Sequence, residues 1–322
     1  MIPSENYTLL RELIQNKTLV LDGAMGTMIQ AHNLVEQDFR GELFADSKIL
    51  LKGNYDVLSL TRPDIITQIH EAYLEAGADI IETNTFSSTT IAQADYGLSQ
   101  EVEKLNFQSA QLAKKAAKKL SALTPDKPRF VAGVLGPTNK TASLSPDVNR
   151  PGYRAISFEE LRTAYKQQAE ALIKGGADLL MIETIFDTLN AKAALFAIDQ
   201  LSQEWNLQIP IMVSGTITDA SGRILSGQTL EAFITSISHT PLLSIGLNCG
   251  WGAKQLKTYA LELERVSPYP ISIHPNAGLP NEFGYYDQTP QIMGQEIQSL
   301  LQNPAIRIVG GCCGTTPDHI RV

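Results

Sequence analysis

Short apolar runs alternate along this chain with longer stretches in which apolar residues recur every three to four positions. The runs are Leu19–Leu21, Asp79–Glu82, Phe130–Leu135, Asp178–Glu183, Ile211–Gly215, Leu243–Leu247, Ile271–His274 and Ile306–Val309. They are too apolar for strands with one face in water, which predicts parallel strands buried on both faces. The intervening period predicts helices over Pro63–Ala76, Glu101–Leu120, Phe158–Lys174, Thr188–Glu204, Thr229–His239, Gln255–Val266 and Pro290–Leu301. Pro63 suits a first helical position and Gly77 a stop. Ser157 with Glu160 reads as a capping box, and Gly175-Gly176 closes that helix. Eight strand–helix repeats predict an α/β fold, the (β/α)8 TIM barrel. The rival, an open doubly wound sheet, needs a glycine-rich dinucleotide loop, and Asp22-Gly23-Ala24-Met25-Gly26-Thr27 matches that only in part.

Two details refine this picture. Gly77–Thr83 and Gly176–Thr184 resemble each other, each reading as helix stop, strand, then Glu-Thr at the strand's carboxyl end. After Thr316-Pro317-Asp318, which looks like a helix start, about one turn remains before Val322. The eighth helix is therefore expected to be truncated, with 1–322 a barrel domain cut from a longer multidomain protein.

Composition narrows the function classes. The chain has 322 residues, 43% of them hydrophobic, enough for a substantial core. Its formal net charge of −8, without a basic run, argues against nucleic acid or an anionic membrane as partner. The apolar runs are far short of a bilayer span, and MIPSENYTLL lacks a signal peptide's profile, so a cytoplasmic protein is expected. The cysteines number three, an odd count that does not suit a disulfide framework, and two are neighbours.

In such barrels chemistry gathers at the carboxyl ends of the strands. Those ends carry Asp22, Glu82 with Asn84, Glu183, Asn248-Cys249-Gly250, His274-Pro275-Asn276 and Gly310-Gly311-Cys312-Cys313-Gly314. Strands six and eight flank strand seven, so Cys249 and the Cys312/Cys313 pair can converge with Asn276 between them. Three thiolates with an open fourth position make a catalytic type of zinc site. Three inert buried cysteines are the alternative. Asp22 also reads as a helix or turn cap, and Glu82 and Glu183 as paired structural carboxylates. His274 reads as a packed residue, and His32, His70, His239 and His319 carry no signal.

LDGAMGTMIQ, GADIIETNTF, GVLGPTNKTASLSPDV, GGADLLMIETIFDTLNAKAA, SGTITDASGRILSGQT, GLNCG, HPNAGLPN and IVGGCCGTTPDH together resemble the homocysteine S-methyltransferase family. GPTNKTASLSPDV and ITDASGR are similar to its cobalamin-dependent methionine synthase branch, in that branch's homocysteine-binding module. The resemblance implies a TIM barrel in which Cys249, Cys312 and Cys313 hold Zn2+ and Asn276 fills the fourth position without substrate. It implies that Asp22, Gly23, Glu183 and Asn248 bind homocysteine, and that methylcobalamin is the methyl donor. Cobalamin-binding, folate-binding and activation domains would be the partners. Physically, a thiol with pKa about 8.5 is mostly protonated at pH 7, and zinc deprotonates it. Three thiolates leave the centre formally singly negative, so a bound sulfur keeps its nucleophilicity. A turn at Gly23–Gly26 would offer amides to the substrate carboxylate if a helix starts there. Other readings are a stand-alone betaine or S-methylmethionine enzyme, a non-catalytic zinc or amino-acid-binding module, and a redox protein using a Cys312–Cys313 disulfide.

Overall fold

The computed structural model describes residues 1–322. Eight parallel strands form the barrel: β1 Leu19–Val20, β2 Ile80–Glu82, β3 Phe130–Leu135, β4 Leu179–Ile185, β5 Ile211–Gly215, β6 Ser244–Gly252, β7 Ile271–Asn276 and β8 Ile306–Val309. Their order is β1-β8-β7-β6-β5-β4-β3-β2, and a parallel bridge between Leu21 and Ile80 joins the two ends. The expected fold is therefore present. Helices α1 Glu5–Asn16, α2 Met25–Gln30, α3 Pro63–Ala76, α4 Val102–Leu123, α5 Phe158–Gly175, α6 Thr188–Glu204, α7 Leu230–Ile237, α8 Ala253–Val266, α9 Pro290–Leu300 and α10 Pro317–Arg321 stand before and between the strands. The last is about one turn long. A parallel pair, Ile2–Pro3 with Leu207–Gln208, lies outside the barrel. Among the described residues no helix is long and apolar enough to cross a membrane.

Strand alternation sorts the apolar residues into two layers. Inside the barrel lie Leu19, Leu21, Ile80, Phe130, Ala132, Leu179, Met181, Met212, Leu243 and Ile308. Leu10 and Ile14 of α1 join them and plug the barrel floor. Outward residues such as Val131, Leu180, Val213, Ile245 and Ile273 pack against the helices. The plug is absent from the expectation drawn from the chain's pattern, because α1 has no strand before it to mark a repeat.

The repeated GAD segments acquire a physical meaning. After α3 and α5, Gly77 and Gly176 adopt left-handed φ of 119° and 109°. Ala78 and Ala177 then donate back to Tyr73 and Leu172 carbonyls, the double bond of a Schellman stop. Asp79 accepts the Val20 amide at 2.9 Å and Asp178 the Val131 amide at 2.9 Å, each clasping the preceding strand. Lys17 and Lys114 neutralise these two carboxylates at the floor. The glutamates at the other ends of the same strands, Glu82 and Glu183, open on the opposite face.

Strands β6 and β7 outrun their apolar stretches. The ladder continues through Asn248 paired with His274 and Gly252 with Asn276, with an irregularity between. A reading that ends a strand at its first polar residue stops too early where that residue is turned to the site.

Candidate metal and substrate site

The strands' carboxyl ends surround one cavity of about 800 Å³. Its lining includes Gly23, Glu82, Asn84, Glu183, Asn248, His274 and all three cysteines. The segment 25–62 contributes Met25, Thr27, Tyr55 and Asp56 to the wall, so this stretch helps form the mouth.

Cys249, Cys312 and Cys313 converge, their sulfurs lying within 4.8 Å of one another. Cys249 and Cys313 Sγ are 3.8 Å apart. A tetrahedral zinc with bonds of about 2.3 Å needs sulfurs about 3.8 Å apart, the separation of Cys249 and Cys313, so the donor set fits the ion. Cys249 reaches this position with φ of +59°, a left-handed conformation that costs a non-glycine residue energy and points to a built site. Thr184, at the end of β4, has φ of +53°. Asn276 is buried and its Oδ1 has no partner. An unsatisfied buried oxygen beside three sulfurs is what a fourth ligand would present. Contacts from Cys312 and Cys313, with the Gly250 amide and Asn276 assisting, pull the Cys249 thiol far below its ordinary range. Cys312 is pushed up by the same contacts and by burial.

The same strand ends carry three carboxylates, Asp22 and Glu183 buried and Glu82 half-buried. Asp22 Oδ2 accepts the Glu82 amide at 3.0 Å, while Oδ1 is buried with no partner. Burial holds Asp22 well above the usual carboxylate range, and the charge of Glu183 adds to the effect. Glu82 is raised by burial, then by Glu183 and Asp22. Burial, followed by the charge of Cys249, pushes Glu183 up to about 7. Among the described residues no lysine or arginine pairs with any of the three. Carboxyl groups held above their usual range with no lysine or arginine beside them gain negative charge most easily next to an incoming cation, so the end of these strands is suited to a cationic ligand.

Asn248 holds one of these groups in place. Its Nδ2 donates to Glu183 Oε2 at 2.8 Å and to Thr184 Oγ1 at 2.8 Å. Its Oδ1 accepts the Thr184 amide at 3.0 Å and the Ser214 hydroxyl at 2.7 Å. Both donors and both lone pairs are used. The geometry thus makes Asn248 a support for Glu183, and it also lines the cavity in which the family resemblance implies a substrate contact for it.

Helix α2 begins at Met25 after Ala24, so the turn after Asp22 does lead into a helix N-terminus. A Cβ at Gly23 would stand 2.6 Å from Thr315 Oγ1 and 3.0 Å from the Tyr73 ring, so only glycine fits there. His274 is buried and unpartnered in the wall, and burial drives it down to about 3, which keeps it neutral. Tyr286 is not singled out by the sequence, yet it lines the cavity beside the cysteines and packs on Gly314. Tyr73 and Thr315 were missed too. Tyr73 and Tyr286 act through contacts distant in sequence, and Thr315 joins a local bond to Cys312 with a distant one to Ala24, which no local pattern encodes.

The family model of homocysteine S-methyltransferases matches residues 19–322. Among solved structures, the metallated form of the homocysteine methyltransferase MmuM from Escherichia coli is similar over 97% of both chains, with 26% identity and a TM-score of 0.73. The oxidized form of that protein matches over the same shares with 24% identity and a TM-score of 0.74, a likeness of fold.

Proposed function

The chain belongs to the homocysteine S-methyltransferase family, and from that premise we propose that it is the homocysteine-activating module of a cobalamin-dependent methionine synthase. In this reading it transfers a methyl group from methylcobalamin to homocysteine and forms methionine, with the cobalamin carried on another domain or chain and folate-binding and activation domains as its partners. The observation that carries the reading is the meeting, in one cavity, of a three-sulfur cluster with the carboxylates Glu82 and Glu183, with Asp22 buried beside them and, among the described residues, no lysine or arginine paired to any of the three. The motifs GPTNKTASLSPDV and ITDASGR, similar to the cobalamin-dependent branch, support the choice of donor.

The chain's own residues divide the work. Cys249, Cys312 and Cys313 would hold Zn2+, with Asn276 as the fourth ligand until the substrate arrives. Bound there, the ion supplies a Lewis acid that keeps the substrate sulfur deprotonated at neutral pH. Asp22 and Glu183 accept hydrogen bonds from the substrate ammonium, and Glu82 adds a third negative group beside them. Each buried carboxylate, costly to ionise in the free protein, gains its counter-charge when the ammonium enters. The amides at the start of α2 receive the substrate carboxylate. Asn248 fixes the Glu183 carboxylate, so the amino-acid end is anchored while the sulfur faces the cysteines. The cavity is far larger than one amino acid, which leaves space above the sulfur for a donor methyl.

The test offers the zinc-loaded protein homocysteine with free methylcobalamin, S-methylmethionine or betaine in turn, and measures methionine. Methionine from methylcobalamin is expected. Methionine formed only from S-methylmethionine or betaine would replace this reading with a stand-alone enzyme of the same family.

A further inference from the structure

The two halves of the site, residues 22–27 at the amino-acid end and residues 311–315 at the cysteine pair, are tied by a set of hydrogen bonds. Gly311 N donates to the Asp22 carbonyl at 2.9 Å. Gly314 N donates to Thr27 Oγ1 at 3.0 Å. Ala24 N donates to Thr315 Oγ1 at 3.0 Å, and that hydroxyl donates onward to the Cys312 carbonyl at 2.6 Å. Behind them the fully buried Tyr73 of α3 presents its hydroxyl to the Ala24 and Thr315 carbonyls, each at 3.1 Å. One phenol proton is shared between two carbonyls, so a single group draws both segments together.

We infer that Thr315, backed by Tyr73, is a positioning residue that sets the backbone of the Cys312–Cys313 loop against the Asp22–Ala24 turn. The inference rests on the metal-centre reading and extends it. Among the described residues the Thr315 hydroxyl is the only side-chain group that bonds both an amide of the turn and the carbonyl of a cysteine. It has no contact of its own with the sulfurs among the bonds described. The tight fit shows how little slack the joint has. A Cβ on Gly311 would stand 2.4 Å from Thr315 Oγ1 and 2.7 Å from its Cβ, and one on Gly23 would strike both Thr315 and Tyr73. Loss of the hydroxyl leaves the Ala24 amide and one lone pair of the Cys312 carbonyl unpaired next to the cysteine loop. The loop then loses its preset geometry, and the ion it holds escapes more easily.

The experiment follows release of zinc from the loaded, full-length chain to a chromophoric chelator, for wild type, Thr315→Val, Thr315→Ser and Tyr73→Phe. Thr315→Val should release zinc about tenfold faster, the factor that corresponds to one lost buried hydrogen bond. Thr315→Ser, which keeps the hydroxyl, should release it at nearly the wild-type rate. Tyr73→Phe keeps the ring and should fall between them, which preserves the test if Thr315→Val does not fold. Thermal midpoints of the zinc-free proteins separate the effect from general destabilisation: Thr315→Ser should melt near wild type, and Tyr73→Phe, which leaves two buried carbonyls without their donor, should melt lower while still releasing zinc more slowly than Thr315→Val. Equal rates for Thr315→Val and Thr315→Ser, or wild-type rates for both Thr315→Val and Tyr73→Phe, overturn the inference. A wild-type chain that takes up no zinc removes its premise as well, a distinguishable result that strikes the proposed function first.

Discussion

A carboxylate buried without a cation costs the free protein stability, so removing its charge separates a binding role from a structural one. Glu183 is 7% exposed, pushed up to about 7 and held by Asn248. Glu183→Gln should leave the thermal midpoint unchanged or higher, because a repulsive buried charge disappears. The same variant should weaken homocysteine binding about tenfold or more, the range for losing a hydrogen bond to a charged group. Zinc content should stay the same, since Glu183 bonds none of the sulfurs. Calorimetry with homocysteine beside a melting curve checks both arms, and a drop in stability with unchanged affinity would make Glu183 a structural carboxylate. At this scale the cysteines and Asp22 were legible in the chain because chemistry demands particular residue types at strand ends. The bonds by which Asn248 holds Glu183 and Thr184 were not, because its side-chain partners lie at least 34 residues away in sequence.

Among the elements, β6 carries the greatest constraint. Gly246 faces the Ser272 backbone so closely that an added Cβ would lie 1.8 Å from its carbonyl oxygen and 2.6 Å from its carbon. Backbone cannot step aside as a side chain can, so the ladder between β6 and β7 must part. Gly246→Ala should therefore cost about 3 kcal/mol or prevent folding, while Gly152→Ala, which meets nothing within 4 Å, should be near neutral. Denaturant unfolding of both variants checks this, and similar midpoints would contradict the packing described. The strands and main helices were legible because buried parallel strands and amphipathic helices leave two different periods. Their ends were less so. β6 was expected to stop at Leu247 and continues to Gly252, since pairing is made by backbone groups whatever the side chain. Helix α1 was missed because its apolar positions plug the barrel from below, outside the strand–helix rhythm.

The whole molecule senses acid through histidines held neutral. His70 is fully buried in α3, neither ring nitrogen has a partner, and burial lowers it to about 4 from 6.5. Between pH 6.5 and about 4 the unfolded chain binds a proton at this residue and the folded chain does not, so stability falls as the pH drops through that window. Asp56, raised to about 7 by burial, acts in the opposite sense, because there the folded form binds the extra proton. The informative quantity is therefore the difference between wild type and His70→Phe. That difference should grow against wild type by at most about 1.4 kcal/mol per pH unit below 6.5 and level off near 4. Urea unfolding at successive pH values measures it, and parallel curves would show that His70 titrates alike in both states. The barrel itself exists to bring three cysteines from two strand ends to one point opposite the buried carboxylates, and that convergence is the central claim. It is tested most directly by counting zinc in the reduced protein and in Cys249→Ser, then adding homocysteine and methylcobalamin to each. The account predicts one zinc per chain in the wild type, loss of the ion in the variant, and methionine from the wild type alone. Metal-free wild type with three freely titrating thiols, or a Cys249→Ser variant that keeps its zinc and its activity, would contradict it.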